Sequence, residues 1–532
     1  MADPEPWWRK AVIYQILVRS FQDTDGDGWG DLPGIVSRLD YLQWLGVNGI
    51  WLTPIYPSPM RDGGYDIEDF DGVHPAFGTL DDFARLVDEV HKRGMRLIVD
   101  WVPNHTSSQH PWFIAACSSR DNPYRTWYLW SDPAQDGGPP NNWLSVFGGS
   151  AWVLHEPTGQ YYYHAFLPEQ PDLYWGNPRV RQAMFANLEL WLGRGVDGFR
   201  IDAIDMLVED TLLTSNPPNK DFDPETDAPD RAVLHKHTRD RPEVHGHAAA
   251  FRRTVEAVGS AVLIGELYIP PERLVAYYGS PELPELHLPL NLELLWLDWK
   301  ADEVMQAIDR YIDLVPDHGW PAWSLGNHDR NRLASRTGDN VRCAAMLLLT
   351  LRGTPTLYYG DEIGMVDVEI PTEQQDDPQG KLHPDRNRDV ARTPMQWSSE
   401  PGAGFTTGNP WLPIPAELDG RTVASQSDDP RSILSLYRRL LETRRHLPAL
   451  HFGGQSRIER SEPFIGYVRH YDGERVLVLL NLSDAGHDFD FSAHGESGRV
   501  ILSTYLDRED ENVPGSAHVR AHEGLLIELT GG

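Results

Sequence analysis

The sequence predicts an α/β fold: a (β/α)8 TIM barrel with an inserted domain after its third strand and a C-terminal all-β sandwich domain. Three observations carry this. Eight short β-like apolar runs, each followed by a turn and a stretch of helical period, succeed one another up to Tyr359. At 532 residues the chain is far past the ~250–300 at which one core stops growing. No GxGxxG loop follows a strand, which disfavours the open doubly wound sheet that shares this alternation.

In order, the strand-like runs are Val12–Val18, Gly49–Thr53, Arg96–Trp101, Gly198–Asp202, Val262–Glu266, His287–Asn291, Trp323–Asn327 and Thr356–Tyr359. Between them lie stretches such as Leu80–Arg93, whose Leu80, Phe83, Leu86, Val87 and Val90 recur at helical spacing. Two intervals are too long for simple loops. His105–Asn177, rich in Pro, Gly, Asn and aromatics, reads as an excursion domain. Met206–His247 reads as a long loop after the fourth strand, placed to act as a lid. Gly364–Pro413 is a further irregular insertion near the eighth strand. From Glu459 the pattern turns to short strands, with Ile465–Arg469, Arg475–Asn481 and Leu525–Leu529 among them. The expected division is therefore a barrel over 1–104 and 178–458, an insertion over 105–177 and a β domain over 459–532.

Composition narrows the ligand. Forty-seven basic against seventy-nine acidic residues give a net charge of −32, which argues against nucleic acid and anionic lipid as partners. No apolar run approaches the ~20 residues that span a bilayer, and the N-terminus lacks the pattern of a signal peptide, so a cytoplasmic location is expected. Cys117 and Cys343 have no CxxC or His-spaced partner, which fits a reducing compartment and no structural zinc. Nineteen Trp and twenty Tyr supply flat faces suited to sugar rings, although most belong to the core. The histidines at 74, 235, 237, 245 and 247 read as solvated loop residues.

In such a barrel the chemistry sits where strands end. The third strand ends in Asp100 before Asn104-His105, the fourth in Arg200-Ile-Asp202, the fifth in Gly265-Glu266 and the seventh in Asn327-His328-Asp329. Four carboxylates, two histidines and an arginine thus converge on one rim. A nucleophile and a proton donor ~5–5.5 Å apart cleave a glycosidic bond with retention, provided that one is ionised and the other protonated. Arg200 lies two residues before Asp202 on the same side of its strand and is expected to keep Asp202 ionised. Glu266, desolvated in an apolar strand, suits acid/base work. Asp329 is left to grip hydroxyls and stabilise the oxocarbenium-like state.

These strings also resemble the α-amylase family of glycoside hydrolases. The matches are Asp100-Trp-Val-Pro-Asn104-His105, Gly198-Phe-Arg200-Ile-Asp202, Gly265-Glu266 and Leu325-Gly-Asn-His328-Asp329, in the family's order, with Gly49-Ile-Trp-Leu-Thr-Pro and Gln170-Pro-Asp-Leu-Tyr-Trp in support. The resemblance spans the chain from Trp8 onward. It implies a nucleophile at Asp202, an acid/base at Glu266 and a stabiliser at Asp329, with His105 and His328 on the glucose hydroxyls. By resemblance to the α-glucosidase branch, Tyr65 stacks under a glucose ring, Phe147 and Phe166 wall its pocket, and Asp62 pairs with Arg392 to close the site behind a terminal glucose.

Asp23-Thr-Asp25-Gly-Asp27-Gly-Trp29-Gly-Asp31 places oxygen ligands at alternate positions and glycine at the sixth, as in an EF-hand loop, but position twelve is Gly34 rather than Glu. It resembles the structural calcium loop of oligo-1,6-glucosidases and α-glucosidases. The ligands implied are the Asp23, Asp25, Asp27 and Asp31 side chains and the Trp29 carbonyl, around Ca²⁺ with Mg²⁺ as the alternative. The expected function is a retaining exo-α-glucosidase on short α-glucosides such as maltose, with transglucosylation, and no organic cofactor. Trehalose synthase and oligo-1,6-glucosidase are the enzymatic alternatives, and an inactive sugar-binding barrel is the non-enzymatic one.

Overall fold

The computed structural model describes residues 5–418, 420–458 and 462–530; the boundary expected at Glu459 lies outside them. Eight parallel strands close into a barrel: β1 Ile13–Ile16, β2 Gly49–Leu52, β3 Arg96–Trp101, β4 Gly198–Ile201, β5 Val262–Leu267, β6 Leu288–Asn291, β7 Ala322–Ser324 and β8 Thr354–Tyr358. Neighbours in sequence are neighbours in space, and β1 closes the ring by pairing Ile13 with Thr356 of β8. Almost every strand residue is buried, as expected of parallel strands filled from within and covered by helices outside. The helix Leu80–Lys92 shows how the covering forms. Thr79 and Asp82 make a reciprocal cap at its start, and Phe83, Leu86, Val87 and Val90 turn inward.

The seventh strand is shorter than its apolar run implied. Ser324 Oγ donates to the Gly326 carbonyl at 2.6 Å and Asn327 Oδ1 accepts from the Asp329 N–H at 3.0 Å, so the chain leaves the ladder before Asn327-His328-Asp329. Those residues therefore stand on a turn above the barrel.

Between β3 and β4 the insertion forms a helix, Pro111–Ser118, and a small antiparallel sheet of Trp130–Ser131, Gln160–Tyr163 and Trp152–His155. Its Trp143, Trp152 and Tyr163 pack in one cluster with Ala203 and Met206 from the end of β4. The segment after β4 is partly ordered into short turns, Ile204–Met206 and Pro229–Ala232, and ends in the helix Val244–Val258. His245 and His247 accordingly lie on a helix rather than in a loop. The insertion grips this segment: Asn142 and Asn216 exchange two hydrogen bonds of 2.8 and 2.9 Å, and Asn141 and Trp143 donate to the Leu213 and Thr214 carbonyls.

The C-terminal region folds into a six-stranded antiparallel sheet and a two-stranded one, His487–Asp490 with Ser516–Val519. Its own apolar core includes Phe464, Leu477, Val500 and Ile527. No helix among the described residues is long and apolar enough to cross a membrane.

Candidate active site

Register brings the two central carboxylates together. Ile201 of β4 pairs with Gly265 of β5, so the next residues, Asp202 and Glu266, rise side by side from neighbouring strands. Such strands lie ~4.8 Å apart, which lets side chains at paired ends come within the ~5–5.5 Å between carboxyls that retention requires. Arg200 lies beneath both. Its Nη1 is 2.7 Å from Asp202 Oδ1 and 3.2 Å from Asp100 Oδ1, and its Nη2 pairs with Glu266 Oε1. Ala203, immediately after Asp202, holds a left-handed φ of 45° and donates its N–H to Glu266 Oε2 at 3.3 Å. A residue with a side chain in that conformation stores strain, and here the turn aims a donor at Glu266.

Burial pushes Asp202 up to about 7 against the pull of Arg200. Burial likewise pushes Glu266 up to about 8, with Arg200 opposing and Asp202 and Asp329 adding to the rise. The expectation that Arg200 keeps Asp202 low is thus corrected: one guanidinium divided among three buried carboxylates does not outweigh their desolvation. Joined through Arg200, the two carboxyls titrate as a pair, each raised by its own burial. For Asp329 burial acts upward as well, but the cations facing it, Arg388 and Arg392 among them, hold it well below the usual carboxylate range.

A relay of neutral groups fixes the other side. The Gln15 side-chain amide lies 2.9 Å from His328 Nδ1, His328 Nε2 lies 2.9 Å from Tyr65 Oη, and Tyr65 donates to Asp100 Oδ2 at 2.7 Å. Burial lowers His328 to about 3 and His105 to about 4, so both are neutral imidazoles. Tyr65 lies parallel to His328, with ring centres 5.4 Å apart. Phe166 packs edge-on to His105 and sits 6.1 Å from Phe147.

Asp202, Glu266, Asp329, Asp62, Tyr65, His105, Phe147, Phe166 and His328 all line one cavity of about 510 Å³. Arg200 does not reach it and acts from behind the carboxylates. The pairing expected of Asp62 is also corrected. Asp62 Oδ1 takes Arg388 Nη2 at 2.7 Å, and Arg388 is anchored in turn by Asp377 at 2.7 Å and Asp329 at 3.2 Å. Arg392, one turn further along, donates instead to the His328 carbonyl at 2.8 Å and to Asp329 Oδ1 at 3.0 Å. Both arginines belong to a short helical turn, Arg388–Ala391 and its cap, and only the first points at Asp62. Gln170 completes the clamp with an amide 3.2 Å from Asp62 Oδ2.

Sequence reasoning did not assign Arg388, Gln170, Tyr268, Trp296 or Arg330, of which all but Gln170 line the cavity. Gln170 opens a string that marked the site, and each of the two stands four residues from an assigned position: Gln170 from Phe166, Arg388 from Arg392. The segment after β4 contributes Met206, Thr226, Ala228, Asp230, Arg231 and Arg239 to the same wall.

In the loop that follows β1, Asp23, Asp25 and Asp27 bring carboxylate oxygens within 4.8 Å of one another. Three hard oxygen donors on a glycine-rich turn suit Ca²⁺ or Mg²⁺. Asp31 is not in that group. Its carboxylate accepts from the Gly34 N–H at 2.6 Å and from the Thr24 N–H and hydroxyl at 2.8 Å, capping the helix Leu32–Leu45. The Trp29 ring is stacked against His74 and lies under the Arg19 guanidinium.

Comparison with known proteins agrees with this geometry. Residues 15–453 match the family model described as alpha amylase, catalytic domain. A probable alpha-glucosidase of Rhizobium meliloti (strain 1021) is 41% identical over 494 residues, covering 90% of each chain. An oligo-1,6-glucosidase of Parageobacillus thermoglucosidasius is 36% identical, over 95% of this chain and 96% of its own. The crystal structure of an alpha-glucosyl transfer enzyme, XgtA, superposes with a TM-score of 0.92 at 38% identity, covering 99% of this chain and 100% of that one. With the barrel, the carboxylates at its strand ends and a family match over most of its length, this chain belongs to the α-amylase family of glycoside hydrolases.

Proposed function

We propose that the protein is a retaining, exo-acting α-glucosidase that removes single α-glucose units from short α-glucosides. One observation carries the reading: Arg200 bridges two carboxyls, Asp202 and Glu266, on neighbouring strand ends at the base of a cavity whose far wall is sealed by Asp62 and Arg388. Asp202 attacks the anomeric carbon while Glu266 protonates the departing oxygen. Glu266, now a carboxylate, then draws a proton from water, or from a second sugar hydroxyl, as that oxygen displaces Asp202. Asp329, held ionised by its arginines, supports the positive charge that develops on the ring. The Asp62–Arg388 clamp and the neutral His105 and His328 hold the hydroxyls of the single glucose that fits inside the wall. Transfer to a sugar hydroxyl accompanies hydrolysis; the likeness to an α-glucosyl transfer enzyme supports this part of the reading.

Proton NMR of turnover tests it. With 4-nitrophenyl α-glucoside, whose leaving group is not a sugar, α-glucose is expected before mutarotation; β-glucose from that substrate, or trehalose as the main product from maltose, would sink it. The Asp23–Asp27 loop is part of the proposal as a structural calcium site, with Asp31 acting through helix capping rather than as a ligand. A cytoplasmic location is proposed as well, supported by cysteines that are both unpaired.

A further inference from the structure

Beyond Asp202 and Glu266 the cavity opens on a rim that carries four arginines from three parts of the chain. Arg231 and Arg239 come from the segment after β4, Arg330 from the turn after β7, and Arg386 from the insertion after β8. Three of them are answered by carboxylates: Arg239 by Asp205 at 2.9 Å, Arg231 by Asp227 at 3.5 Å and Arg386 by Asp385 at 3.6 Å. Arg330 is not. Among the described residues no carboxylate pairs with it, and its Nε is buried without a hydrogen-bond partner. Its guanidinium carbon lies over the Trp296 ring, 3.1 Å from the ring centre, and that ring is itself 49% exposed.

Burial disfavours the charge of this guanidinium; Tyr268 and Asp329 nearby offset part of that cost, and Arg386 and Arg231 add repulsion, while no carboxylate among the described residues is in direct contact with it. The pairs made by Arg231 and Arg386 are long and exposed, so they cancel little of the local field. An uncharged occupant leaves Arg330 without a direct ionic partner. An anionic one supplies that partner, and the planar guanidinium, held over the indole, matches the two oxygens of a carboxylate or phosphate.

We propose that this rim is an acceptor subsite for a leaving group that bears an anion, carboxylate or phosphate, with Arg330 as its direct partner. The inference rests on the α-glucosidase reading above and names the leaving-group class for it. Two matched pairs of substrates separate the sources of charge: 4-carboxyphenyl against 4-carbamoylphenyl α-glucoside, and maltose phosphorylated at O6 of its reducing glucose against maltose. In at least one pair the anionic member is expected to show a kcat/KM about tenfold higher, equivalent to ~1.4 kcal/mol. The advantage shrinks with added salt. In Arg330→Gln the ratio falls to about one, whereas Arg330→Lys keeps part of it. The ratio is internal to each enzyme, so a general loss of activity cancels. A preference in either pair supports the proposal and tells which anion is read. A wild-type ratio at or below about one in both pairs overturns it while leaving the hydrolytic reading standing. If no compound is turned over, the hydrolytic reading fails instead, and calorimetric binding of the same four compounds to Asp202→Asn decides this one. Tighter anion binding that is lost in Asp202→Asn with Arg330→Gln supports it, and equal binding overturns it.

Discussion

Replacing Arg388 by Gln removes the centre of a network that touches three carboxylates, so its cost divides into two measurable parts. The first is stability. Asp377 is buried, which acts to raise it, yet Arg388 and Arg392 hold it at about 2 instead of its ordinary 3.8. That difference corresponds to ~2.5 kcal/mol of folding free energy at neutral pH. Because the folded value is the depressed one, this stabilisation is present above the ordinary value and disappears as pH falls toward about 2. The second part is binding. The hydroxyl held between Asp62 and Arg388 loses one charge-assisted hydrogen bond, worth ~1.5–3 kcal/mol, or ~10–150-fold in kcat/KM. Urea unfolding checks the first: the gap between wild type and Arg388→Gln is expected to be widest near neutrality and to narrow as the pH is lowered through the acid range. Hydrolysis of 4-nitrophenyl α-glucoside checks the second, with Arg392→Gln as the control, since Arg392 makes no contact with Asp62. If Arg388→Gln kept kcat/KM within about twofold while Arg392→Gln lost it, the assignment of the clamp would be wrong.

Other outcomes follow from the same geometry. The plot of kcat/KM against pH is expected to be bell-shaped and displaced above the ordinary carboxylate range, rising as the Asp202–Glu266 pair loses its first proton and falling as it loses its second, because burial raises both groups. Glu266→Gln should abolish the alkaline fall on an aryl glucoside whose leaving group needs no proton; retention of that fall would assign it to another group. Chelation, or Asp25→Ala, is expected to lower the melting temperature, and calcium to restore it only in the wild type. At a hundred times its Kd the ion contributes ~2.7 kcal/mol, and a melting temperature indifferent to calcium would remove the metal from the loop. Maltose should be turned over best and maltotetraose least well, because the segment after β4 stands in the cavity wall where a longer leaving group must pass. A kcat/KM that climbs with chain length would show that this wall yields.

The barrel was legible because parallel strands buried on both faces leave continuous apolar runs, as in Leu97–Val99 and Val262–Ile264. Polar residues at the ends of those runs marked the catalytic rim for the same reason: nothing in the core explains them. What stayed hidden depends on direction rather than identity. Arg388 and Arg392 are four residues apart on a tight turn, and composition does not tell which of them reaches Asp62. Asp31 fits the alternating pattern of a metal loop, yet the next residue opens a helix and claims its carboxylate as a cap. The seventh strand was read too long because Leu325 continues the apolar run, while Ser324 turns the chain aside through a side-chain hydrogen bond. The apparent strength of Arg200 over Asp202 was likewise overestimated, since the string Arg-Ile-Asp does not show that Asp100 and Glu266 share the same cation.

That sharing has a consequence for the electrostatic work of a turnover. In the free enzyme the anion nearest Arg200 is Asp202, on Nη1; once Asp202 has become an ester and Glu266 has given up its proton, the anion stands on Nη2. The negative charge has moved from one arm of a single guanidinium to the other. The sum seen by the cation is the same before and after, so neither intermediate leaves it starved or overloaded. No ion has to enter and little water has to reorient while the bond is made. The fork acts as a fixed counter-pole across which charge is handed over, and it readies the second half of the cycle simply by staying where it is.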